Sequence, residues 1–104
     1  DSQFNLGVMY RKCQGIPQDY TEVVKWCRKA AEQGHAPAQN NLGFMYDNGY
    51  GVAEDYVQAH MWFTLSAARG NEQARKNLEI VAQEMTPAQI AEAQKLAREW
   101  RPKK

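Results

Sequence analysis

The chain has 104 residues, 43% of them hydrophobic and 24% charged, with 13 basic against 12 acidic side chains and a formal net charge of +1. This is the composition of one globular domain, and it disfavours nucleic acid as a partner, because phosphate recognition needs a clustered positive footprint. The apolar stretches fall well short of the roughly 18 residues that cross a bilayer, so no membrane span is expected.

Leu6, Gly7, Met9, Tyr10, Gly15, Asp19, Tyr20, Trp26, Ala31 and Gly34 recur 36 residues on as Leu42, Gly43, Met45, Tyr46, Gly51, Asp55, Tyr56, Trp62, Ala67 and Gly70. A period of this length marks stacked helical hairpins, each with too little apolar surface to fold alone. The expected division is repeat one at 1–36, repeat two at 37–72, a partial third repeat at 73–85, and a capping helix with a basic tail at 86–104.

In repeat one the first helix runs into Lys12-Cys13-Gln14-Gly15, where Cys13 stands at the position Gly49 takes in repeat two, so its cap should differ. Asp19 and Glu22 then have capping-box spacing and open a second helix, whose inward face is Val23, Val24, Cys27, Ala30 and Ala31 and which stops at Gly34. In repeat two, Ala38, Leu42, Met45 and Tyr46 share one face of a helix over about 37–48, ended by Gly49. Asp55 with Gln58 opens its partner, which turns Ala59, His60, Phe63, Ser66 and Ala67 inward and stops at Gly70. Glycine inside a helix costs about 1 kcal/mol against alanine. Gly7 and Gly43 are therefore expected where the second helix of the pair comes too close for a Cβ, near Ala30, Ala31 and Ala67.

Beyond residue 72 the repeat decays. Ala74, Asn77 and Leu78 still match Ala38, Asn41 and Leu42, but the aromatic and glycine positions are lost and the helix continues to about Gln83. Thr86-Pro87-Ala88-Gln89 then supplies an N-cap, a first-turn proline and a capping-box glutamine for a final helix to Trp100. Its apolar set, Ile90, Ala93, Leu96, Ala97 and Trp100, suits the end of a stack, while Arg101, Lys103 and Lys104 read as a solvated end.

Cys13 and Cys27 are the only cysteines, 14 apart. Antiparallel partners of position 13 should fall near 21 to 23, so both are expected as free, partly buried thiols. With His35 in a turn and His60 on another helix, they lack zinc-ligand spacing, and no metal or other cofactor is expected. Cys27 with His35 or His60 is the one candidate nucleophile and base, but His60 reads as a core histidine, Asp19 and Asp55 as caps, and Trp26 and Trp62 as inter-hairpin packing. The chain is not expected to be an enzyme.

The string Ala38-Gln39-x-x-Leu42-Gly43-x-Met45-Tyr46-x-x-Gly49-x-Gly51-Val52-x-x-Asp55-Tyr56-x-x-Ala59-x-x-Trp62-x-x-x-Ser66-Ala67-x-x-Gly70 resembles the Sel1-like repeat, a relative of the tetratricopeptide repeat. The resemblance covers residues 1 to about 82. It implies an all-α, right-handed superhelical solenoid of antiparallel helix pairs, closed by the C-terminal capping helix. It also implies a non-enzymatic bacterial or eukaryotic adaptor that gathers proteins into complexes. One bacterial branch of this family bridges successive hairpins with paired cysteines and is associated with β-lactam binding. The corresponding positions here are Ala31 and Gln39, so that association does not carry over.

Asn5, Asn41 and Asn77 occupy one position in three successive first helices; one turn on come Val8, Phe44 and Ile80, then Lys12, Asn48 and Glu84. In related superhelices the first helices line the concave side, so these nine residues are expected to form a stripe that binds a protein or an extended peptide. The alternative for the asparagines is local backbone bonding between hairpins. Two other functions remain open: a binder or hydrolase of cell-wall or antibiotic-like compounds, and a structural segment of a longer array. A monomer is expected. Asp1 aligns with Pro37, where a repeat begins, and no initiator Met is present. The chain is accordingly expected to be trimmed from something longer, in the bacterial cytoplasm or exported, with export favoured.

Overall fold

Short polar side chains and glycines set the boundaries of the helices. The computed structural model describes residues 20–101, which form α1 (Tyr20–Glu32), α2 (Ala36–Asn48), α3 (Tyr56–Ala68), α4 (Glu72–Ala82) and α5 (Pro87–Glu99), with no strand among the described residues. The helix expected before residue 20, the packing of Gly7, the Asp19 cap, and residues Asn5, Val8, Lys12, Cys13, Lys103 and Lys104 lie outside the described residues.

At α2, Pro37 sits in the first turn, where its missing N–H removes no helical hydrogen bond. The helix ends at Gly49, which takes φ 70° and returns its N–H to Met45 O. Asp55 caps α3 by accepting from Gln58 N at 3.1 Å, but only half of the expected capping box forms. The Asp55 N–H is instead donated to Tyr46 O at 3.0 Å, closing the loop back onto α2. Asn71 caps α4 through Ala74 N at 3.0 Å. At α5 the box is complete: Gln89 N donates to Thr86 Oγ1 at 3.2 Å and Thr86 N donates to Gln89 Oε1 at 2.9 Å.

The helices pack around α3, which touches α2, α4 and α5, while α1 packs on α2. Accordingly α3 buries residues on almost every side: Ala59, His60, Met61, Trp62, Phe63 and Ser66. A helix apolar all round belongs in a core. The expected inward face of α1 is buried in full, and Leu42, Phe63, Val81 and Cys27 are fully enclosed. The capping helix lies against α3, where the Trp100 ring meets the Trp62 ring edge-on at 5.9 Å. Ala93 is its fully buried contact, and Ile90, Leu96, Ala97 and Trp100 are half-buried.

Two buried polar side chains tie helices together, Gln39 between successive hairpins and Ser66 within the α2–α3 hairpin. Gln39 Nε2 donates a hydrogen bond to Ala31 O at 3.1 Å, joining α2 to α1. Ser66 Oγ donates to Ala36 O at 2.6 Å, across 30 residues of sequence.

Two expectations are corrected. The second helix does approach Gly43 too closely for a Cβ, but its close neighbours are not Ala30, Ala31 or Ala67: a Cβ there would lie 2.7 Å from two ring carbons of Phe63 and 3.2 Å from Ala59 O, both on α3. The small residues that surround a glycine in sequence register need not be those its backbone meets in space. Nor is Cys27 a free thiol. It is disulfide-bonded, and the only other cysteine of the sequence is Cys13. Counting residues along an antiparallel pair placed the partner too near the turn, whereas Cys27 stands in the buried centre of the α1 face.

Candidate functional site

α2 and α4 are the first helices of successive hairpins and run in the same direction on one side of α3. A side-chain ladder ties them: Asn77 Nδ2 donates to Asn40 Oδ1 at 3.0 Å, and Gln73 Nε2 donates to Asn77 Oδ1 at 3.3 Å. One turn beyond this rung stand Phe44 and Ile80, 47% and 59% exposed. Large apolar side chains so far out of a packed repeat need a reason, since helices in such stacks turn these residues inward.

Tyr50, 37% exposed, extends the apolar surface. Its ring lies 5.8 Å from that of Phe44 and stacks on Tyr20 of α1 at 4.7 Å with a 13° interplanar angle. Gly51 allows this approach. It has φ 74°, and a Cβ there would lie 2.5 Å from the Tyr20 carbonyl oxygen. The loop after α2 thus rests on the start of the preceding hairpin's helix, and the aromatic surface spans a repeat junction.

The next turn is acidic. Asp47 is half-buried, and its carboxyl is raised above the ordinary carboxylate value first by burial, then by the charges of Glu54 and Glu84. The Tyr56 phenol is raised chiefly by Glu54, then by burial, Glu84 and Asp47. The carboxylates of the loop, of α2 and of the turn after α4 therefore face one region.

Of the nine stripe residues, Phe44, Asn48, Ile80 and Glu84 are exposed and Asn41 and Asn77 are half-buried. Asn5, Val8 and Lys12 lie outside the described residues. Across the two helices Asn77 bonds Asn40, the residue before its repeat equivalent Asn41. Asn48 Nδ2 is used locally, donating to Phe44 O at 2.9 Å. Tyr50, Asp47 and Glu54 belong to this face and were not singled out by sequence. The signal for Tyr50 was an aromatic residue held between two turn glycines.

Elsewhere, burial lowers both histidines below their ordinary value. His60 Nδ1 lies 3.4 Å from Thr64 Oγ1, whose own proton goes to His60 O at 2.8 Å, leaving Nδ1 to donate. An open hollow of about 430 Å³ between α3 and α5 is lined by Thr64, Leu65, Ala68, Gln94, Ala97 and Arg98, and neither histidine is part of it. Among the described residues no group of three or more His, Cys, Asp or Glu side chains could hold a metal ion, and no helix is long and apolar enough to cross a membrane.

Antiparallel hairpins stacked at a fixed period, with polar joints and one open aromatic face, define a helical repeat protein. Residues 1–35 and 36–71 each match the Sel1 repeat, and the chain belongs to that family. Among solved structures it is similar to c5321, described as a protective antigen present in uropathogenic Escherichia coli strains and displaying an SLR fold. The identity is 32% and the TM-score 0.80, over 92% of this chain and 21% of that one. The chain thus spans about a fifth of that relative. None of the curated proteins matches it.

Proposed function

We propose that this chain is a protein-interaction module whose ligand, an extended peptide or a protein segment, lies across the open face of α2 and α4, and that it performs no chemistry of its own. The observation that carries this reading is the exposure of Phe44, Tyr50 and Ile80, the exposed large hydrophobic residues among the described residues. Interface energy concentrates in a few central aromatic and aliphatic anchors. The Asn40–Asn77 rung beside them fixes the spacing of the two helices without filling the space between their exposed side chains. The disulfide at Cys27 suits a module working in an oxidising compartment, where such bonds persist.

The test is direct. A partner captured from the native cell and purified should bind Phe44→Ala weaker by about 2 kcal/mol, roughly 30-fold in Kd. Ile80→Ala should weaken it by about 1 to 2 kcal/mol. The melting temperature of both variants should stay close to that of the parent, because neither side chain is packed in the core. Unchanged affinity for both variants would remove the face from consideration.

A further inference from the structure

The open face joins an apolar centre to a rim of one sign of charge. Phe44, Tyr50 and Ile80 are the large hydrophobic residues left exposed among the described residues. Asp47 follows Phe44 by one turn of α2, Glu84 follows Ile80 by one turn, and Glu54 comes from the adjoining loop, its Cβ 3.5 Å from where a Cβ on Gly49 would lie. Among the described residues none of the three forms an ion pair, and the salt bridge there joins Arg75 to Glu72 at the other end of α4. Lys76 is the cation on this side of α4, and it precedes Ile80 by a turn whereas the acids follow it. Three carboxylates thus converge beside an exposed ring with no cation paired to them among the described residues.

Resting on the peptide-binding reading above, we infer that the partner is a basic segment. It seats an apolar side chain against Phe44 and Tyr50 and, two residues away, extends a lysine or arginine to Asp47 and Glu84. The spacing follows from geometry. One helical turn advances about 5.4 Å along α2 and α4, and residues two apart on an extended peptide are about 6.6 Å apart on one face. An arginine at that point gains twice, from the carboxylates and from the faces of the neighbouring rings. An acidic segment would meet like charge at the same place, which costs affinity and slows encounter.

A displayed library of random peptides, selected on the intact chain and counter-selected on Phe44→Ala, tests both readings separately. The leading peptide is synthesised and titrated against the parent, Phe44→Ala, Glu54→Gln/Glu84→Gln and Asp47→Asn/Glu84→Gln. The expected result is enrichment of Lys or Arg two residues from an apolar side chain, with about tenfold weaker binding to the double variants. Affinity should also fall steeply between about 0.05 and 0.5 M salt. Peptides that require Phe44 but are neutral or acidic, and that bind the charge variants as tightly as the parent, would overturn the basic partner and leave the groove. Peptides that bind Phe44→Ala equally well, or no enrichment at all, would overturn the groove itself. Sedimentation without peptide covers the remaining occupant. A dimer of the parent that dissociates in the double variants would place the Arg101-containing end of a second copy on this face and overturn a separate partner.

Discussion

Gly43→Ala adds one methyl group inside α2 and should destabilise the protein, although alanine is the better helix former by about 1 kcal/mol. The new Cβ would stand 2.7 Å from two ring carbons of Phe63 and 3.2 Å from Ala59 O. Carbon atoms in good contact lie about 3.5 to 4.0 Å apart, so the ring or the helix must yield by roughly 1 Å. Neither has room. Phe63 is fully enclosed, and Ala59 O belongs to the backbone of the central helix. Overpacking of this kind costs typically about 1 to 3 kcal/mol; with two contacts this short it should fall in the upper part of that range, for a net loss of up to about 2 kcal/mol after the propensity gain. In a domain of this size that lowers Tm by roughly 4 to 8 °C per kcal/mol, within easy reach of thermal unfolding followed by circular dichroism. Phe63→Leu supplies the internal control. It costs stability alone, but it should relieve the clash, so the double variant should be more stable than the sum of the two losses predicts. A Tm for Gly43→Ala equal to or above the parent's would refute the close-approach explanation.

Reduction should add two hydrogens to the intact mass and lower Tm, because a crosslink closing a loop of about 15 residues is worth about 3 kcal/mol; unchanged mass on reduction would show that Cys27 carries no bond. Acidification should destabilise the fold: His60 and His35 are held below the ordinary value of 6.5, so the unfolded chain takes up protons first, and the stability present above that value is lost as pH falls through the folded values. Melting at about pH 7.5 and 5.5 should show the loss, with His60→Gln flattening but not abolishing it; Asp47, whose raised carboxyl acts in the opposite sense, titrates in a lower window. A chain ending at Glu84 loses the edge contact of Trp100 with Trp62 and the burial of Ala93 and Leu96. At roughly 1.5 to 3 kcal/mol for each large side chain, it should unfold at markedly lower temperature, and an unchanged midpoint would show that α5 is dispensable.

The helices could be read because their signals are local. Pro37, Gly49, Asp55 and Thr86 each act within a few residues, so their boundaries came out within a residue or two. What the sequence hid was set by contacts between segments. The Asp55 N–H went to Tyr46 O rather than to Gln58, because the loop folds back on α2. Gln39 and Ser66 reach carbonyls on other helices, Gln39 that of Ala31 in the preceding hairpin and Ser66 that of Ala36 at the start of its own. On the open face, periodicity placed Phe44 and Ile80 outward, but it could not bring in Tyr50, which arrives from a loop. Periodicity matched Asn77 to Asn41, whereas the residue its side chain bonds across the helices is Asn40, a contact set by how α2 and α4 cross.

The stacking of Tyr50 on Tyr20, made possible by the bare backbone of Gly51, places a piece of one hairpin underneath the next. The ring that meets solvent, and on the reading above a ligand, is therefore also a packing contact between adjacent units. A segment seated on Tyr50 would press the loop against α1 and resist bending at that joint. Occupancy would then register as a stiffer rod, and a longer array built on the same plan could pass that stiffness along its length one junction at a time.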